Sequence, residues 1–180
     1  MRLLAIALAA TAMLVSGSAS AAQWAETIYE DLGIAKEWPN PPTREAGEYV
    51  SGVVGTVPST EFHNEEDNIV FHMTVAEMQD HIDRSASILG ECVANAEKEG
   101  TSLANMTNRV EGGADAIYGR LVSVDVANNG GRRQTACLFN ATGRLYVIQA
   151  TVLPEHGQPN SSMVIRFTNS LSFDLEGYHE

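Results

Sequence analysis

The stretch that decides the fold reads Ala116-Ile-Tyr-Gly-Arg-Leu-Val-Ser-Val-Asp-Val126, Ala127-Asn-Asn-Gly-Gly131, Arg132-Arg-Gln-Thr-Ala-Cys-Leu-Phe139, Asn140-Ala-Thr-Gly143 and Arg144-Leu-Tyr-Val-Ile-Gln-Ala-Thr-Val-Leu153. Three β-branched and aromatic runs separated by Asn/Gly clusters of hairpin length predict an antiparallel meander. A two-residue turn at Asn129-Gly130 would set Val126 opposite Arg133, Val124 opposite Thr135 and Val122 opposite Cys137. A second such turn at Ala141-Thr142 would set Cys137 opposite Tyr146. One face then holds Val122, Val124, Val126, Thr135, Cys137, Phe139, Tyr146, Ile148, Ala150 and Val152, apolar enough to lie under a helix. The other face, with Ser123, Asp125, Gln134 and Gln149 among Leu121, Leu138 and Leu145, is mixed and is expected to be only partly covered.

Upstream of the meander the periodicity changes. Met78, Ile82, Ala86, Leu89, Val93 and Ala96 recur three and four apart and Gly100 follows, which predicts a helix from about residue 76 to 99. Residues 48–57 and 68–75 read as strands flanking an acidic loop, Phe62-His-Asn-Glu-Glu-Asp67, and residues 101–110 as a further strand. Gly112-Gly113 reads as a loop, as does the stretch from Pro154 to Pro159. Downstream, Met163, Val164, Phe167 and Leu171 suit a closing helix, although Val-Ile-Arg-Phe would also suit a strand; residues 172–175 could add an edge strand. The pattern is an α+β fold, an antiparallel sheet with helices packed on it.

At the start, Met1-Arg2 precedes an apolar run from Leu3 to Val15 and small residues ending Ala19-Ser-Ala21, the pattern of a signal peptide over residues 1–21. The run is too short for a membrane anchor, and the Ala-rich leader points to a bacterial periplasm or the external medium. Its removal leaves about 160 residues, enough for one domain with a real core. Residues 22–46 read as an N-terminal extension, lying on the domain or simply a tail. In it Trp24, Ile28 and Leu32 suit a short helix ending at Gly33, and Trp38-Pro-Asn-Pro-Pro42 stops it. The main domain is then residues 47–176.

The chain carries 11 Lys and Arg against 23 Asp and Glu, a formal net charge of −12 that becomes more negative once Arg2 leaves with the leader. Phosphate backbones and anionic membranes would repel such a surface, so nucleic acid and membrane are not expected partners.

The order of elements, strand, strand, long helix, meander and closing helix, resembles the PsbP-like fold, an α/β/α sandwich. The chain is similar to uncharacterised exported bacterial proteins of that shape through Ile117-Tyr-Gly-Arg-Leu121, Gly143-Arg-Leu-Tyr-Val-Ile148, Val152-Leu-Pro154 and Ile165-Arg-Phe-Thr-Asn-Ser-Leu-Ser-Phe173, over residues 48 to 175. It departs from PsbP proper in lacking a Tyr-x-Phe-x-x-Pro start, so a photosystem role does not carry over. The resemblance implies a noncatalytic accessory or binding protein.

Candidate chemistry is sparse. Cys92, beside the helical stripe, and Cys137, on the apolar sheet face, suit a disulfide in an exported protein, the alternative being two buried thiols. His63, His72 and His81 stand nine residues apart among Glu65, Glu66, Asp67, Asp80 and Asp83, a nitrogen and oxygen ligand set for a first-row metal. They fit no recognised metal spacing and read first as a solvated acidic edge. Arg132 and Arg133, at a hairpin tip after Gly130-Gly131, could hold an anion or simply be solvated. No nucleophile elbow follows the leader and no phosphate-cradling glycine loop is present, so no cofactor is expected. The reading is an exported noncatalytic accessory or binding protein with an unknown protein or small-molecule partner. The alternative is a small periplasmic enzyme with a His/carboxylate acid-base or metal site.

Overall fold

The computed structural model of the chain describes residues 24–110, 117–126, 131–153 and 161–173. The leader and both expected loops, at Gly112-Gly113 and at Pro154 to Pro159, lie outside the described residues. The described elements run β1 (Ala25–Tyr29), β2 (Ile34–Trp38), β3 (Thr43–Ser51), β4 (Gly55–Glu66), β5 (Ile69–Glu77), a 3-10 segment (Gln79–Arg84), α1 (Ser85–Lys98), β6 (Gly100–Val110), β7 (Ile117–Val126), β8 (Arg132–Phe139), β9 (Arg144–Val152), α2 (Ser161–Asn169) and β10 (Leu171–Ser172).

The meander forms as β7, β8 and β9, but its register differs from the expected one. The turn between β8 and β9 has three residues, not two. Gly143 N–H donates to Asn140 O at 3.1 Å, Asn140 N–H donates to Arg144 O at 3.1 Å, and Gly143 takes the left-handed conformation at φ 81°. That extra residue sets Cys137 opposite Val147 instead of Tyr146. A one-residue slip turns a whole strand over, so Tyr146, Ile148, Ala150 and Val152 lie on the face away from Cys137. Between β7 and β8 the slip is two residues, with Val124 opposite Arg133 and Val122 opposite Thr135, which leaves the faces unchanged.

The meander belongs to a seven-stranded antiparallel sheet in the order β3-β4-β5-β9-β8-β7-β6. One face presents Phe62, Phe71, Met73, Val75, Tyr146, Ile148 and Ala136, and it is covered by Tyr29, Ile34 and Trp38 of a β1–β2 hairpin and by Met163, Val164 and Phe167 of α2. The other presents Val57, Ala76, Leu145, Cys137 and Phe139 to Ile88, Leu89 and Cys92 of α1. Cys92 and Cys137 are joined, with Cα atoms 6.3 Å apart, which pins α1 to the centre of the sheet.

Four further expectations are corrected. The helix expected over Trp24 to Leu32 is the β1–β2 hairpin, turned by Gly33 at φ 65° and paired Ala25 to Trp38. Ile28 is 40% exposed, so the helical spacing was not the burial pattern; pairing and packing around Trp38 overrode it. The helix expected from residue 76 begins at Ser85, because Ala76 and Glu77 continue the ladder opposite Leu145 and Arg144 and Met78 N–H donates to Gly143 O at 2.7 Å. The strand expected over 48–57 is two strands folded at Gly52 to Val54, and the acidic stretch from Phe62 belongs mostly to β4. Its turn is only Asp67-Asn68, both at positive φ, the arrangement a right-twisted two-residue hairpin requires. The closing segment is helical as α2, and Leu171–Ser172 adds to β2 as an edge strand.

Candidate binding site

A crevice opens at one end of the sandwich, where four segments distant in sequence meet. It has a volume of about 410 Å³ and is lined by Leu32 and Gly33 from the β1–β2 turn, Gln79, Asn140 to Thr142 from the β8–β9 turn, Arg144 and Phe173. Arg144 braces it. Its Nε lies 3.1 Å from both carboxylate oxygens of Glu77, and its Nη1 donates to Leu32 O at 2.7 Å. Burial acts to lower the Arg144 pKa, but Glu77 outweighs it and the guanidinium is held more firmly charged. Asn140 organises the wall: its Oδ1 accepts from Thr142 Oγ1 and Arg144 N–H, each at 2.9 Å, and its Nδ2 donates to Tyr146 OH at 3.2 Å. Burial pushes the Tyr146 hydroxyl up to about 12, so it stays neutral below that range.

The lining is therefore amphipathic and nearly charge-balanced. Leu32 and the Phe173 ring give apolar area, Gln79 and the turn give hydrogen-bonding groups, and Glu77 offsets the one lining cation. Among the described residues no histidine, cysteine, serine or carboxylate lines the crevice. Such a surface can hold a ligand or a partner's loop.

The residues singled out from the sequence lie elsewhere. His63 and His72 are brought together, directly opposite each other on β4 and β5 with ring centroids 6.4 Å apart. Glu61 joins them, its Oε2 3.5 Å from His72 Nε2. His81 is not part of this group: it sits in the 3-10 segment beyond the far end of β5, separated from His72 by roughly 16 Å of strand at about 3.3 Å per residue. Arg133 is engaged by its own fold, pairing with Glu99 and donating from Nε to Thr151 Oγ1 at 2.7 Å. Arg132 begins β8, in the ladder opposite Asp125 and Val152, and the turn before it at 127–130 lies outside the described residues. Neither arginine borders the crevice.

Sequence reasoning missed the crevice residues and Lys36. Lys36 is fully buried, its Nζ donating to Phe167 O and to Ser170 Oγ and lying 3.8 Å from the centre of the Phe167 ring. Its donor joins Ser170 N–H and Oγ in satisfying the Phe167 carbonyl at the end of α2. The signal was a charged residue inside the short apolar run Ile34–Trp38, which alternation alone would place inward.

No protein-family model and no curated protein matches the sequence. Among solved structures, the solution structure of cyanobacterial PsbP (CyanoP) from Synechocystis sp. PCC 6803 superposes with a TM-score of 0.51 at 15% identity, over 87% of this chain and 95% of that one. The fold is PsbP-like. At that identity the likeness extends to architecture and not to chemistry. The PsbP-like sandwich here contains no helix, among the described residues, long and apolar enough to cross a membrane.

Proposed function

We propose that the chain is an exported, noncatalytic accessory or binding protein that engages its partner at the crevice bounded by Leu32, Gln79, Asn140, Thr142, Arg144 and Phe173. The observation that carries this reading is the lining itself: a cavity of ligand size, about 410 Å³, in which apolar and hydrogen-bonding groups from four separate segments converge. Export is supported by the leader pattern of residues 1–21 and is consistent with the Cys92–Cys137 disulfide, which persists in oxidising compartments. The PsbP-like architecture agrees with an accessory role.

The test is native purification of the tagged full chain from the periplasm, with mass spectrometry of what accompanies it, alongside Thr142→Trp, which fills the crevice from an exposed position. A partner or small molecule that follows the wild type and is absent from the variant supports the reading. Equal recovery with both proteins would overturn it.

A further inference from the structure

We infer that His63, His72 and Glu61 form a site for a divalent transition-metal ion of the zinc type on the sheet face that α1 leaves partly open. The argument begins with register. Phe62 and Phe71 point into the core at 0% exposure, so by alternation their neighbours Glu61, His63 and His72 all point to the opposite face. His63 and His72 are a direct cross-strand pair and Glu61 is two residues from His63 along β4, diagonal to His72. α1 packs on β6, β7 and β8; at this end of β4 and β5, His63 is exposed and the His72 and Glu61 side chains are 30% and 42% exposed.

Two imidazole nitrogens and one carboxylate are the donor set that borderline ions such as Zn²⁺ prefer and that Ca²⁺ and Mg²⁺, which favour all-oxygen sites, do not. The backbone is already positioned. β4 and β5 are joined by the two-residue turn Asp67-Asn68, and β5 is held on its other side by β9, so the two imidazoles share a stiff platform. Among the described residues no three His, Cys, Asp or Glu side chains are placed to hold an ion as they stand, so the site needs a side-chain rearrangement. Closure requires the exposed His63 ring to turn toward His72, a change between staggered rotamers at the surface. With the ring centroids 6.4 Å apart and Glu61 Oε2 3.5 Å from His72 Nε2, it is the side chains, and not the paired strands, that must move to bring donors to about 2.0–2.1 Å from an ion. Water completes the coordination from the solvent side. Bound there, the ion would staple β4 to β5 and stabilise the fold by mass action.

Isothermal titration of the mature chain with zinc chloride, and separately with calcium chloride, decides the matter. One Zn²⁺ per chain is expected for the wild type and for His81→Ala, with no calcium heat, lost binding in His63→Ala and His72→Ala, and weakened binding in Glu61→Gln. Zinc should raise the melting temperature of the wild type and of His81→Ala alike, raise that of Glu61→Gln less, and leave those of His63→Ala and His72→Ala unchanged. Should His63→Ala fold poorly, His63→Gln replaces it. Absence of zinc binding to the wild type, or binding unchanged in either His63 or His72 variant, would overturn the site.

Discussion

Arg144 at the start of β9 faces Glu77 at the end of β5, its Nε 3.1 Å from both carboxylate oxygens, while its Nη1 reaches the Leu32 carbonyl in the β1–β2 turn. One side chain thus ties the small sheet to the large one at the mouth of the crevice. Arg144→Ala strands a half-buried carboxylate and a carbonyl, and should lower stability by roughly 1–3 kcal/mol. Urea denaturation measures it, with Glu77→Gln expected to lose less because an amide still accepts from the guanidinium. A midpoint unmoved in Arg144→Ala would refute the bracing role.

Lys36 gives a pH dependence of definite sign. Burial pushes its pKa well below the ordinary 10.5, the nearby Glu37 only partly opposing this. Between the lowered folded value and 10.5 the unfolded chain binds the extra proton, so stability rises with pH across that window. Tyr146, raised to about 12 by burial, acts oppositely: above about pH 10 the unfolded tyrosine ionises first and stability falls. Thermal melts across the alkaline range should show the rising limb in the wild type and not in Lys36→Met. Parallel profiles for the two proteins would show that Lys36 is not the titrating group.

The Cys92–Cys137 bond spans a sequence separation of 45 and fastens α1 to β8. Constraining a loop of that length in the unfolded chain is worth roughly 2–4 kcal/mol. Thiol titration of the unfolded, unreduced protein should find none free, and the Cys92→Ala/Cys137→Ala double variant should unfold at correspondingly lower denaturant. Two titratable thiols per chain would contradict the bond.

Export makes its own prediction. Intact-mass measurement on protein recovered from the periplasm should give a chain starting at Ala22 or Gln23, and a retained leader would count against the reading.

The strands of the meander and the closing helix were legible because their signals are local: β-branched runs bounded by Asn and Gly, and Met163, Val164 and Phe167 at helical spacing. The disulfide was legible too, since two cysteines fell on elements expected to pack together. Register was not, because a two-residue and a three-residue turn differ by one glycine, and only the backbone at Gly143, where a Cβ would come 2.5 Å from the Gln79 Cα, shows which one forms. The N-terminal hairpin was misread because three apolar residues four apart fit a helix locally, while the burial of Trp38 against Phe62 and Phe167 that makes it a sheet comes from partners far along the chain. The pairing of His63 with His72 and the crevice from Leu32 to Phe173 were decided the same way. Composition determined an acidic chain, and the periodicity a sheet with helices on it. Which side chains share a site was left to tertiary pairing, since non-local contacts set strand faces and bring distant turns together.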